Sequence, residues 1–107
     1  METKQAIDAL AALAHPSRLA IFRLLVEAGP EGMPAGAIAE KLKLPAATLS
    51  FHLANLAHAG LARGRQEGRF VIYSTDFEHM RALVGYLTEN CCSASACAPR
   101  RRATAKA

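Results

Sequence analysis

The chain has 107 residues, a formal net charge of +4 and 51% hydrophobic residues, of which few are aromatic. The length suits one small domain, and the hydrophobic content is too high for a disordered chain. No apolar stretch approaches the roughly 18 residues of a membrane span, and the acidic N-terminus lacks the basic region of a signal peptide, so we expect a cytoplasmic protein without membrane contact.

The basic charge is concentrated in the middle of the chain and near its end. Residues 41–69 carry five basic side chains and one acidic side chain, whereas residues 1–40 and 70–97 are each net acidic. This distribution is what a protein needs if one face meets a polyanion, although a solvated surface can have the same composition. Charge alone therefore leaves nucleic-acid binding open.

Apolar residues at helical spacing predict four helices in the first half of the chain, over residues 4–14, 16–28, 34–42 and 46–59. Pro16 suits the first turn of the second helix, and Gly60 provides a stop for the fourth. Only a short turn at residues 43–45 separates the third and fourth helices. That spacing is typical of a helix-turn-helix.

A β-hairpin and a last helix are predicted to follow. Residues 61–66 and 69–74 flank Glu67-Gly68, and the second arm is rich in β-forming residues. Asp76 is the candidate N-cap of the last helix. The order α-α-α-α-β-β-α predicts a mainly α fold with a small β-hairpin, a winged helix-turn-helix over residues 1–90, followed by a cysteine-containing, arginine-rich tail over residues 91–107.

Three segments occur in an order that is known from one protein family. They are LAHPSRLAI at residues 13–21, LSFHLANL at residues 49–56 followed by Ala59-Gly60-Leu61, and Glu67-Gly68-Arg69 followed by Tyr73-Ser74. They resemble the opening motif, the recognition helix with its exit, and the wing of the ArsR/SmtB repressors, over about residues 7–89. The resemblance implies a homodimeric repressor, not an enzyme, that leaves its DNA operator when a metal or metalloid binds.

In a helix-turn-helix the second helix enters the major groove with its N-terminal residues nearest the bases, and a wing reaches phosphates or the minor groove. The residues predicted to contact DNA are Thr48, Ser50, Phe51, His52, Arg65 and Arg69. Many relatives have a polar or basic residue at the position of Phe51. The alternatives are a helix-surface role for Thr48, a helix-packing role for His52, and solvated charges for the two arginines.

Three cysteines, Cys91, Cys92 and Cys97, lie within seven residues. In a cytosolic chain such a cluster favours a soft-ion site or redox chemistry over a structural disulfide. Three thiolates without an evident fourth ligand suit trivalent arsenic or antimony better than tetrahedral zinc. We therefore predict As(III) or Sb(III) as the inducer, bound by these three residues, and no organic cofactor.

The family's other metal sites are incomplete in this sequence. One arsenic-sensing group of the family has a cysteine pair on the helix before the turn. Residues 35–42 of this chain, which form that helix, contain no cysteine. Zinc-sensing relatives use Asp and His early on the last helix, and Asp76 and His79 are present, yet Asn90 stands near the place of the second His. An arsenic-sensing group with a Cys-Cys pair and a third Cys at its C-terminal end resembles this chain best.

The last helix is predicted to form a dimer interface with the first, because its apolar stripe is larger than an 11.4 kDa monomer readily buries. The predicted interface residues are Ile7, Leu10, Phe77, Met80, Leu83, Val84 and Leu87. A two-fold dimer predicts an inverted repeat in its double-stranded DNA operator.

Other functions stay open at this point. A thiol-redox-responsive or Zn/Cd-responsive repressor would have the same fold. A small thiol enzyme is disfavoured because the sequence has neither a Cys-x-x-Cys motif nor a glycine-rich phosphate loop. A winged helix that binds only proteins would show no salt-dependent DNA affinity.

Overall fold

The computed structural model describes residues 1–92, which form five helices and three strands. In chain order these are α1 (Thr3–Leu13), α2 (Pro16–Ala28), β1 (Met33–Pro34), α3 (Ala35–Leu42), α4 (Ala46–His58), β2 (Ala62–Glu67), β3 (Phe70–Thr75) and α5 (Phe77–Thr88). The winged helix-turn-helix prediction is confirmed, with α3 and α4 as the two helices of the motif and β2–β3 as the wing.

The β-structure differs from the prediction in two details. The sheet has a third strand, because β1 pairs antiparallel with β3 through Met33–Tyr73 and Pro34–Ile72, giving the order β1-β3-β2. Two residues are too few to show strand periodicity, and a proline is tolerated in a strand only at an edge such as this one. The hairpin turn is Gly68-Arg69, one residue later than predicted, since Glu67 still pairs with Phe70.

Side-chain caps begin two of the helices. His15 precedes Pro16 at the start of α2, and its Nδ1 accepts a hydrogen bond from the Ser17 backbone N–H at 3.1 Å. The predicted N-cap of α5 is confirmed, because Asp76 Oδ1 accepts from the His79 N–H at 3.0 Å. Both caps satisfy backbone donors that a helix start leaves without intrahelical partners.

The core lies between α1, α2 and α4 and extends to α3, α5 and the start of β2. Its buried residues are Ala6, Ala9, Ala12, Ile21, Phe22, Leu25, Ile38, Leu49, Leu53, Leu56, Leu61, Ala62 and Leu83. Leu83 is therefore a core residue of its own protomer with little surface left for a partner, and its place in the dimer interface stays a prediction. On α1, Ala6, Ala9 and Ala12 face inward, and the larger Ile7 and Leu10 face outward.

Among residues 1–92, no single helix has both the length and the apolar composition to cross a membrane. Only α1 and α2 taken together, with a bend of 102° between them, meet the length and composition criterion, which core helices also meet.

Candidate DNA interface and cysteine cluster

One face of α4 is buried and the opposite face is open to solvent. Leu49, Leu53 and Leu56 point into the core and fix the helix against the domain. The other side exposes three predicted DNA contacts, Thr48, Ser50 and Phe51, and the phenyl ring of Phe51 is 64% exposed. Hydroxyl groups can donate to phosphates and bases, and a phenyl ring can contact thymine methyl groups.

His52 lies on the inward side of α4, with only 6% of its surface exposed. Its Nδ1 is 3.4 Å from Arg18 Nη1, and its ring centroid is 4.7 Å from that of His15. A guanidinium has only donors, so Nδ1 can take part in this hydrogen bond only as the acceptor, which the neutral form of His52 allows. Burial lowers the pKa of His52, and the nearby charges of His15 and Arg18 lower it further. This environment favours the helix-packing alternative for His52; its DNA contact stays a prediction.

Arg18 connects three helices at this point. Its Nε donates to the carbonyl oxygen of Ala12, at the end of α1, at 2.7 Å, while its Nη1 reaches His52 on α4. Sequence analysis noted Arg18 only as part of a family motif and assigned it no role. The available indication was a basic residue in the first turn of a helix whose later residues are mostly apolar.

The wing contains two arginines in different environments. Arg65 donates from Nε to Glu67 Oε2 at 2.6 Å and from Nη2 to the carbonyl oxygen of Glu31 at 2.8 Å, so it braces the wing against the loop before β1. Arg69 is exposed in the hairpin turn, and within residues 1–92 it has no carboxylate within ion-pair distance. Beside it Phe70 is 58% exposed, a surface aromatic that sequence analysis treated only as a β-former.

An apolar stripe runs along the outer faces of α1 and α5. Ile7, Leu10, Val84 and Leu87 are each more than two-fifths exposed, and the hydroxyl groups of Thr3 and Tyr86, 2.6 Å apart, join the two helices. The other predicted interface residues, Phe77 and Met80, are half-buried. We call the four exposed residues the α1–α5 stripe.

The described part of the cysteine cluster follows the end of α5. Cys91 Sγ and Cys92 Sγ are 3.5 Å apart, and Cys91 is an exposed, free thiol. Cys97, the third predicted ligand, lies outside the described residues. Within residues 1–92 no group of three His, Cys, Asp or Glu side chains is placed to hold a metal ion.

The two residues that resemble zinc ligands have other surroundings in the protomer. Asp76 caps α5 and lies 3.5 Å from Arg63 Nη2. His79 has a buried Nε2 with no hydrogen-bond partner, next to Gly60 at the exit of α4. Asp76 is therefore used structurally, which weakens the comparison with zinc sensors.

Comparison with known proteins decides the family. Residues 13–65 match the helix-turn-helix domain family. The nodulation protein NolR of Rhizobium meliloti is 34% identical over 80 residues, which are 75% of this chain. This match spans 63% of the length of NolR, slightly less than two thirds. The structure of HlyU from Vibrio cholerae is 30% identical, with a TM-score of 0.67 over 86% of this chain and 99% of HlyU. Its reduced form gives a TM-score of 0.65 at 28% identity, over 84% of this chain and 92% of that one.

A third relative carries the family name. The homodimeric winged helix-turn-helix DNA-binding domain of Mb0332 from Mycobacterium bovis, a possible ArsR-family regulator, is 29% identical, with a TM-score of 0.64 over 81% of each chain. This chain belongs to the ArsR family. As an ArsR-family protein it is a transcriptional regulator with a helix-turn-helix domain, not an enzyme, and α4 occupies the position of the family's recognition helix.

Proposed function

We propose that this ArsR-family protein is a homodimeric cytoplasmic repressor that binds an inverted-repeat operator and leaves it when trivalent arsenic or antimony binds Cys91, Cys92 and Cys97. The observation that carries the DNA-binding part is the open face of α4. It presents Thr48, Ser50 and Phe51 to solvent while the leucines on the other side of the helix are fixed in the core.

The charge around this face suits a nucleic acid. Lys41 and Lys43 are exposed on and just after α3, and Arg69 is exposed on the wing. Phosphate contacts of this kind position a protein on DNA and make its affinity depend on salt, whereas the side chains of α4 would read bases.

The α1–α5 stripe supports dimer formation. Its four large apolar side chains would be covered by the same surface of a second copy in a two-fold dimer. The homodimeric domain of Mb0332, which resembles this chain, adds support. Two α4 helices about one DNA turn apart then require an inverted repeat.

The cysteine cluster supports the choice of inducer. Cys91 and Cys92 adjoin each other and Cys97 follows five residues later, so the chain can offer three thiolates to one soft ion once all three cysteines are reduced. Derepression requires that the ion bind the DNA-free protein more tightly, and coupling of about 1–3 kcal/mol changes operator affinity by about 5–150-fold.

A thiol-redox response is the second candidate. The exposed Cys91 thiol beside Cys92 supports it, and so does the likeness to HlyU, which has been solved in a reduced form. Separate additions of arsenite, hydrogen peroxide, Zn²⁺ and Cd²⁺ to the reduced, DNA-bound protein distinguish the two candidates. Release by arsenite without oxidation supports the ion sensor, release by peroxide alone supports the redox sensor, and release by Zn²⁺ or Cd²⁺ would favour neither.

The DNA-binding proposal is tested by selecting duplexes from a random pool with the reduced protein. We expect the selected sequences to contain an inverted repeat with half-site centres about 10 base pairs apart or a multiple of that distance. Selection of no common sequence, or of single half-sites bound by a monomer, would contradict the proposal.

A further inference from the structure

The contacts of His52 point to a function that does not involve touching DNA. We infer that Arg18 and His52 are positioning residues that, together with His15, fix the rotation of α4 and so the placement of its DNA-reading side chains. The inference rests on the DNA binding proposed above, and it adds residues that the protein needs in order to present α4 correctly.

Three helices meet at this cluster. His15 caps α2 through Nδ1, and Arg18, one turn later, donates to the end of α1 through Nε and to His52 through Nη1. The rings of His15 and His52 are tilted by 49° with centroids 4.7 Å apart. The leucines of α4 hold the helix by hydrophobic contact, which has no direction, whereas a hydrogen bond at one ring nitrogen defines an orientation.

The cluster lies directly behind the open face of α4. Phe51 adjoins His52 in the chain, with ring centroids 5.8 Å apart, and Ser50 is exposed one residue earlier. Successive residues of a helix are about 100° apart around its axis. A change in the seating of the His52 ring therefore moves Phe51 and Ser50 relative to a DNA groove.

Protonation of His52 would disrupt this arrangement. A protonated Nδ1 becomes a donor that faces the Arg18 guanidinium, so the hydrogen bond is replaced by repulsion between two cations. The other charged groups nearby do not offset this. His15 carries no negative charge that could offset the repulsion, and His58 and the Lys4–Asp8 ion pair (3.0 Å) border the adjacent cleft beside Arg18.

The sign of the pH effect separates positioning from simple charge attraction. Added positive charge on a histidine near phosphates strengthens DNA binding. A displaced α4 weakens it. If His52 positions the helix, operator affinity must fall as the pH is lowered through the pKa of His52.

The test uses the full-length reduced protein and a duplex selected as described above, with affinity measured by fluorescence anisotropy at fixed salt. We expect wild-type affinity to fall by about tenfold between about pH 7.5 and the lowest pH at which circular dichroism shows the protein folded, because the pKa of His52 lies below its ordinary 6.5 and protonation removes one charge-assisted hydrogen bond. His52→Asn places an acceptor near the position of Nδ1 and cannot be protonated, so its affinity should fall less than that of the wild type over this range.

Two further variants complete the design. His52→Leu keeps an apolar buried side chain but has no acceptor, and we expect it to bind more weakly than His52→Asn at about pH 7.5. The matched control is His58→Asn, an exposed position on the same helix, which should behave as wild type at both pH values. Circular dichroism verifies that each variant is folded, and if His52→Leu is not, the pH profiles of wild type and His52→Asn still decide.

Wild-type affinity that is constant or rises on acidification would overturn the inference, and so would the same pH dependence in wild type and His52→Asn. These outcomes leave the proposed function intact. If the wild type binds no selected duplex at about pH 7.5, the proposed function fails, and the inference fails with it.

Discussion

The imidazole of His52 is a titratable group held between α2 and α4, so its protonation is coupled to the stability of the fold. Because its burial and the charges of His15 and Arg18 lower the pKa of His52, the folded protein resists a proton that the unfolded chain accepts. Below the ordinary pKa of 6.5 the unfolded chain therefore binds more protons, and the free energy of unfolding rises with pH.

We accordingly expect acid to destabilise the wild type more than the variant His52→Asn. The contribution of His52 is fully present above pH 6.5 and is lost as the pH falls through its folded pKa. Urea denaturation at about pH 7.5 and about pH 5 measures the difference, and His58→Asn serves as the control that loses as much stability as wild type. Equal losses in wild type and His52→Asn would contradict the prediction.

At the residue scale, the sequence identified the apolar positions of each helix better than it predicted whether they face the core or a partner. Ile7 and Leu10 were predicted to face a partner and are exposed in the protomer, whereas the core takes Ala6, Ala9 and Ala12 from the other side of α1. Leu83 and Val84 are adjacent apolar residues of α5, and both were predicted for the interface. Only the three-dimensional structure shows that Leu83 is buried in the protomer and Val84 is exposed. Periodicity does not distinguish the inside of a protomer from an interface between protomers.

At the scale of the element, the wing separates into a braced base and an open turn. Arg65 is engaged by Glu67 and by the carbonyl oxygen of Glu31, whereas Arg69 is exposed in the turn at Gly68-Arg69. Gly68 has a φ of +62°, a conformation that other residues adopt at a cost, and it lets the turn close tightly.

We expect Arg69→Ala to weaken DNA binding by a similar factor for all sequences. One lost phosphate contact reduces the slope of log affinity against log salt by about 0.9. Anisotropy titrations at several salt concentrations measure that slope, with Arg23→Ala on the outer surface of α2 as a control for the loss of one positive charge. An unchanged slope for Arg69→Ala would show that the turn does not meet the phosphates.

The elements that sequence analysis placed well are those with local determinants. The caps at His15-Pro16 and Asp76 are set by a few neighbouring residues, and both helices begin where predicted. The strand β1 depends instead on pairing with β3, some 40 residues later, and on the close approach of Gly32 (φ +75°) to the backbone of Tyr73. Such non-local pairing leaves no trace in two residues of sequence.

At the scale of the whole molecule, the α1–α5 stripe is an apolar surface that a monomer would leave exposed to water. Exposed large apolar side chains on two neighbouring helices indicate an interaction surface. The order of motifs along the chain gave the fold and the family, whereas the cysteine tail lies mostly outside the described residues, so its ligand set rests on sequence chemistry.

A charge in the stripe should separate the protomers. We expect Val84→Glu to shift the protein from dimer to monomer in sedimentation velocity, and to lower operator affinity because two half-sites are then bound independently. Ala82→Glu is the matched control, since it is exposed two residues away on α5 and therefore on nearly the opposite side of the helix. Dimers of undiminished stability in Val84→Glu would place the interface elsewhere.

An ion held by the C-terminal thiols is proposed to release the dimer from DNA, and an arsenite titration of the reduced protein on its selected duplex tests this most directly. We expect arsenite to lower wild-type affinity by about 5–150-fold. The variant with Cys91→Ser, Cys92→Ser and Cys97→Ser should remain bound at arsenite concentrations that release the wild type. Release of that triple variant at the same concentrations would contradict the account.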